Sequence, residues 1–158
     1  MKQAGCNEID KSMNKMEEFN YTVEQFADLQ LLRYKVYGFE ELSLKQKELI
    51  YYLSQAALQG RDILFDQNGK YNLLIRKMLE TVYTEYQGDR TDVNFVNLET
   101  YLKRIWFSNG IHHHYASDKF VPGFTPEFLR DALNSVDALK LLWVKGKQWK
   151  NFVKKSFR

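Results

Sequence analysis

Apolar residues recur every three or four positions through most of the chain, which is the signature of helices that bury one face. The stripe Tyr71, Leu74, Ile75, Met78, Leu79, Val82, Tyr83 and Tyr86 is the clearest, and Gly88 ends it. A second stripe of Phe95, Leu98, Leu102, Ile105 and Trp106 predicts a helix from about Asp92 to Ser108. Ser43 and Gln46 stand at capping-box spacing ahead of a face made by Leu49, Ile50, Leu53, Ala56 and Ala57. That face predicts a helix packed on the core, with Gly60 as its terminator or a point of close packing. Thr125 opens another helix, with Pro126 in the first turn, Glu127 near the positive end, and Phe128, Leu129 and Leu133 inward. Thr22 and Gln25 repeat the capping-box spacing, and Phe26, Leu29 and Arg33 share one side, with Val23, Leu31 and Tyr34 near it. This predicts a helix to about Val36, stopped by Gly38. Between these elements, Ile63-Leu64-Phe65 leads into a turn at Asp66-Gln67-Asn68-Gly69. The pattern therefore predicts an all-α fold: a single compact domain of about five helices, with no persuasive strand and no internal repeat.

Composition supports one such domain. The 158 residues are 44% hydrophobic and 15% aromatic, enough for a buried core but short for a two-lobed enzyme. Most of the ten tyrosines and eleven phenylalanines, and Trp106 with them, are expected in that core. Residues 1–20 are polar and without period, and read as a flexible leader. No stretch approaches the length of apolar sequence that a membrane span needs. The net charge of +3 conceals an asymmetry. Seven basic residues and no acidic one follow Asp137; setting them aside leaves 16 basic against 20 acidic residues, a net −4. Cys6 is the single cysteine, so no internal disulfide is possible. Its setting, Ala4-Gly5-Cys6-Asn7, resembles the lipidation site of a bacterial lipoprotein, but only five residues precede it. Either the signal begins upstream of Met1, or the match arises by chance in a leader.

The chemistry concentrates in residues 105–124. A helical pattern ends at Asn109-Gly110; His112, His113, His114 and Tyr115 follow; then comes Asp118-Lys119-Phe120-Val121-Pro122. Adjacent residues point in different directions in any regular backbone, and only His112 and His114 share a face if extended. The triplet is therefore not read as a native metal site, whose ligands normally come from separated positions. Asp62, Asp66 and Asp118 are isolated carboxylates, read as caps or turn residues. The sequence holds no Gly-rich phosphate cradle and no nucleophile elbow, and Cys6 in the leader makes a poor partner for a histidine.

The order of residues in this stretch resembles the N-terminal lobe of the dipeptidyl peptidase III family of zinc metallopeptidases. The resemblance extends upstream through Tyr51-Tyr52-Leu53-Ser54-Gln55-Ala56-Ala57 and Gly60-Arg61-Asp62-Ile63-Leu64-Phe65, and covers roughly residues 21–137. It implies that the loop from Asn109 to Phe120 faces a cleft between two lobes. Tyr115 then aligns with an aromatic that lines the pocket for a substrate's N-terminal dipeptide, with Asn109 and Gly110 beside it. The alternative is that Tyr115 packs the loop against the preceding helix. Ala116 stands where the family commonly has glycine. The resemblance implies a parent enzyme that releases N-terminal dipeptides from short peptides, using a zinc held by a His-Glu-x-x-Gly-His helix and a later glutamate. This sequence contains no His-Glu pair. No zinc ligand or catalytic role is therefore carried over, and no cofactor is expected in the chain itself.

Residues 138–158 break with what precedes them, being basic, with two tryptophans. Read two nucleotides later, permitted codons for this tail give an acidic peptide containing Thr-Val-Glu-Glu-Leu, a helix start in keeping with the body. The expectation is a frameshift near residues 138–140 that severs the substrate-binding lobe, inactive alone, from its catalytic lobe. A free-standing helical module that binds a protein or peptide is the alternative reading. A lesser one is a nucleic-acid or membrane-surface binder acting through the basic tail, although no nucleic-acid partner is expected. As written the chain reads as cytoplasmic, and its parent as a possible bacterial envelope lipoprotein.

Overall fold

The computed structural model describes residues 19–137. Cys6, most of the leader and the basic tail lie outside the described residues. The chain divides into two compact units, with the boundary between Leu42 and Ser43.

The first unit corrects the expected helix at Thr22–Val36. It is an antiparallel hairpin of β1 (Thr22–Phe26) and β2 (Leu29–Leu32), so the fold is mostly helical but not all-α. Thr22, Glu24 and Phe26 alternate with more exposed neighbours, as do Leu29 and Leu31, which is the period of two that a strand requires. Thr22 does not cap a helix: its hydroxyl accepts a cross-strand bond from Gln30 Nε2 at 2.9 Å. Asn20, assigned by pattern to the leader, accepts from Thr22 N–H through Oδ1 at 3.0 Å and from Arg33 Nε through its carbonyl at 2.8 Å. Ala27 turns the chain at φ 50°, a left-handed conformation that an L side chain adopts reluctantly. Gly38 takes φ 84° and leads into a single 3-10 turn at Phe39–Glu41.

The second unit contains the other four expected helices and one more. The helix α1 (Leu44–Gln59) starts at the expected capping box. Ser43 N–H donates to Gln46 Oε1 at 2.9 Å, and Gln46 N–H to Ser43 Oγ at 3.4 Å. The piece read as an apolar run and a turn is instead α2 (Arg61–Asn68), which buries Phe65; the turn is delayed to Gly69. Then follow α3 (Asn72–Glu85), α4 (Val93–Ser108) and α5 (Pro126–Ser135). Asp92 caps α4 through Asn94 N–H at 2.8 Å, and Thr125 caps α5 through Phe128 N–H at 3.2 Å.

The core lies between α3 and α4. Met78, Leu79 and Val82 from α3 meet Leu98, Leu102 and Ile105 from α4, and all six are fully buried or nearly so. Phe65 of α2 and Leu129, Ala132 and Leu133 of α5 close the same cluster. Burial of one such aliphatic side chain is worth about 1.5–3 kcal/mol, so this seam dominates the unit's stability. Two asparagines of α4 secure the approach to α5: Asn97 Nδ2 donates to Gly123 O at 2.8 Å, and Asn94 Oδ1 accepts from Thr125 N–H at 3.2 Å. Phe124 then sits edge-on to Tyr101 at 5.7 Å.

Three core expectations fail in one direction. The α1 face is not packed on the core: Leu49 is 58% exposed and Leu53 60%. Trp106 is 41% exposed, because its indole N–H reaches Glu80 Oε1 at 2.7 Å and not the core. Among the described tyrosines, Tyr101 alone is buried. Within the second unit the apolar spacing marked α1, α3, α4 and α5 as helices, but it did not reveal which faces have something to cover them.

Leu98→Ala is expected to cost about 2–5 kcal/mol in urea unfolding, whereas Leu49→Ala changes stability by less than about 0.5 kcal/mol. A large loss at Leu49 would mean that its face is covered in solution. Burial pushes the Tyr101 hydroxyl up to about 12, while the unfolded chain releases that proton near 10. Over this window the unfolded state binds fewer protons, so stability falls as pH rises. From about pH 9 to about pH 11 the natural chain should lose about 1.3 kcal/mol more than Tyr101→Phe. Equal losses in the two proteins would show that the hydroxyl is not buried.

Candidate functional site

The site is built where α2 hands over to α3 and α4 ends. Asn109 closes α4 in the left-handed region, at φ 53°, which asparagine tolerates better than most residues. The N–H of Gly110 bonds to Ile105 O at 3.2 Å, closing the six-residue turn that commonly follows such a helix end. Two asparagines from the α2–α3 junction grip this exit. Asn68 Nδ2 donates to Asn109 O at 3.2 Å, and Asn72 Oδ1 accepts from Ile111 N–H at 3.3 Å. Gly110 is required here for space. A Cβ on it would lie 2.4 Å from Asn72 Nδ2, closer than any real contact.

From this anchor the chain forms a narrow two-stranded loop. His113 N–H donates to Asp118 O at 2.8 Å and Phe120 N–H to Ile111 O at 2.8 Å, with His112 and Lys119 paired across it. The tip turns through Ala116 N–H to His113 O at 3.2 Å. Tyr115 N–H donates to His113 Nδ1 at 3.2 Å, which makes that nitrogen an acceptor and leaves Nε2 as the protonated one. The rings follow one another closely: His113 stacks on His114 at 4.4 Å, and Tyr115 lies tilted against His114 at 4.2 Å. It is His114 that meets α4, edge-on to Phe107 at 5.0 Å. Tyr115 is 89% exposed, so it does not pack the loop against the helix.

A polar cavity of about 360 Å³ lies beneath the loop, lined by Asn68, Asn72, Ser108, Gly110 and the three histidines among others. Asn72 is 2% exposed and Ser108 9%. Asn72 Nδ2 and Ser108 Oγ meet no hydrogen-bond partner among the described residues. Leaving such an atom unpaired costs about 1–3 kcal/mol.

A second hollow of about 650 Å³ is lined in part by Asp62, Phe65, Arg76, Glu80, Trp106 and Asn109. Arg76 organises it. The guanidinium lies 4.5 Å over the Phe65 ring, 2.6 Å from Asp62 Oδ1 and 3.2 Å from Glu80 Oε1. Lys77 adds a contact of 3.0 Å to Asp62 Oδ2. Hydrogen bonds from Lys77 and then Arg76 hold the Asp62 carboxyl below the ordinary carboxylate value. Asp62 is therefore an ion-pair partner, which its isolation in sequence did not suggest.

Of the residues singled out by sequence, Asn109 and Gly110 sit at the anchor and Tyr115 at the tip, while Cys6 falls outside the described residues. Asn68, Asn72, Ser108 and Arg76 were not anticipated. Asn72 follows the first residue of an apolar stripe, and nothing in the spacing separates it from a surface asparagine. Among the described residues, no three His, Cys, Asp or Glu side chains come together as a metal-holding group. The zinc implied by the resemblance thus finds no ligand set in these residues. Nor is any described helix long and apolar enough to cross a membrane. No protein-family model matches the chain, and no curated protein matches it.

Gly110→Ala and Asn72→Ala should each destabilise the helical unit. The double variant should fall short of the sum by about 1 kcal/mol or more, because removing the Asn72 side chain makes room for the new methyl. Strict additivity in a double-mutant cycle would mean that the two residues do not touch.

Proposed function

We propose that this chain is the substrate-binding lobe of a zinc-dependent peptidase of the dipeptidyl peptidase III type, acting on short peptides. The observation that carries the reading is Tyr115, the residue aligned with the family's pocket-lining aromatic. It stands exposed at the tip of a loop whose base is fixed by Asn68 and Asn72. An aromatic held out from an anchored base can cover an apolar side chain of a peptide while its hydroxyl stays in water. Order at the base limits the entropy lost when the tip engages a ligand.

The uncovered α1 face supports the same reading. Leu49, Ile50, Leu53 and Leu58 are exposed on one helix, with Ile63 and Leu64 exposed on the next. An apolar surface of that kind suits a lobe made to rest against further protein. Without a His-Glu pair the chain is assigned no bond-breaking role. Its part is to receive the peptide; the metal chemistry belongs to the catalytic lobe of the parent enzyme.

Two measurements test this. The DNA following codon 138, read two nucleotides on, should stay open and encode His-Glu-x-x-Gly-His. A tetrapeptide with a free N-terminus should bind the chain, and Tyr115→Ala should weaken that binding about tenfold, as truncation of a contact aromatic commonly does. An early stop in the shifted frame, with no zinc motif beyond it, would remove the peptidase. Peptide binding that survived alone would then describe a free-standing binding module. Absence of binding would remove the peptide site itself.

A further inference from the structure

Among the helices of the second unit, α1 alone buries none of its residues. Its sequence makes that exposure costly. From Leu49 to Gly60 there is no charged residue. Leu49, Ile50, Tyr52, Leu53, Ala56 and Ala57 recur at helical spacing and form one broad stripe, on which Tyr52 is 68% exposed and Leu53 60%. Leu58, about half a turn round the helix from Leu49 and Leu53, lines the larger hollow with Leu64 and Phe65 of α2. The stripe therefore faces away from α2. A contiguous apolar surface of this kind is normally covered by protein.

The charges at the two ends of α1 indicate what covers it. Lys45 stands in the first turn, at the positive end of the helix, and no acidic residue in that turn offsets it. It lies four residues before Leu49 and so on the same stripe. The negative end has the converse lack: its last turn carries no basic residue, and the next charges along the chain, Arg61 and Asp62, are opposite in sign. A second α1 laid antiparallel brings Lys45 of each copy beside the negative end of the other. A parallel pair would set Lys45 against Lys45. Side-chain size favours the same arrangement. With a two-fold axis between Tyr52 and Leu53, Leu49 of each copy lies opposite the small Ala56 of the other.

We propose that the chain pairs with a second copy of itself through α1, the two helices antiparallel and crossing near Tyr52 and Leu53. The interface is isologous, each stripe covering the other. Two 16-residue helices make an interface at the low end of the usual size, so the dimer is weak, with a Kd in about the micromolar range. Below that concentration the face is uncovered, so Leu49→Ala stays neutral in dilute unfolding and becomes costly only as the dimer forms. The pairing rests on α1 alone and holds whether or not the Tyr115 loop receives a peptide.

Sedimentation equilibrium of the full chain from about 5 to about 500 µM tests this. The expected result is reversible conversion of monomer to dimer, with no larger species. Leu53→Glu, at an exposed position, should abolish the dimer and leave the circular dichroism spectrum unchanged. Lys45→Glu should weaken the dimer about tenfold, although the same change favours α1 itself by placing an acid at its positive end. If Leu53→Glu alters the fold, Lys45→Glu decides alone. A monomer throughout this range overturns the proposal and leaves the face to a different protein. Assembly that continues past the dimer overturns it as well. So does an affinity unchanged in Lys45→Glu, the result expected of a parallel pair or of unspecific apolar contact.

Discussion

The contact between α3 and α4 is the constraint on which the helical unit depends. Met78, Leu79 and Val82 against Leu98, Leu102 and Ile105 form a seam from which water is excluded almost completely. Everything else in the unit attaches to it. Phe65 brings α2 in beneath Arg76, and Leu129 and Leu133 bring α5 onto the same cluster. The polar grip of Asn68 and Asn72 lies at one end of this seam. Rigid packing of the two helices is what allows two weak hydrogen bonds at 3.2 and 3.3 Å to fix the start of a loop. The cost of leaving Asn72 Nδ2 and Ser108 Oγ without partners, about 1–3 kcal/mol each, is small beside the burial along the seam.

Much of this fold was legible in the sequence because its helices are amphipathic and well capped. Ser43 with Gln46, and Thr125 with Pro126, act as their spacing predicts. The hairpin was not legible, and the reason is specific. Thr22 and Gln25 stand at capping distance by coincidence, and Phe26, Leu29 and Arg33 happen to match a helical period. A period of two was present across Thr22, Glu24 and Phe26, but a strand of five residues offers few repeats to set against a longer helical pattern. The turn at Ala27 carried no glycine or asparagine to announce it. The extent of α2 was missed because Asp66-Gln67-Asn68 has turn composition, while the backbone turns only at Gly69.

The candidate site divides along a similar line. Asn109, Gly110 and Tyr115 were legible because an unusual run of residues drew attention to them. Their partners were not, since Asn68 and Asn72 lie about forty residues upstream and reach the loop only through the α3–α4 packing. Spacing also misled about α1. Its apolar residues do form one face, but periodicity reports that a face exists and not that something covers it. The isolated position of Asp62 concealed a three-way charge contact with Arg76 and Lys77 for the same reason.

The first four helices of this unit pack chiefly on their neighbours in the chain: α1 on α2, α2 on α3, and α3 on α4. Contacts between sequence neighbours close short loops, which cost little chain entropy, and folds built this way form quickly compared with those that need distant strands to meet. The six residues of the seam all precede Ser108 and the anchor uses nothing beyond Ile111, so the base of the loop does not depend on its tip.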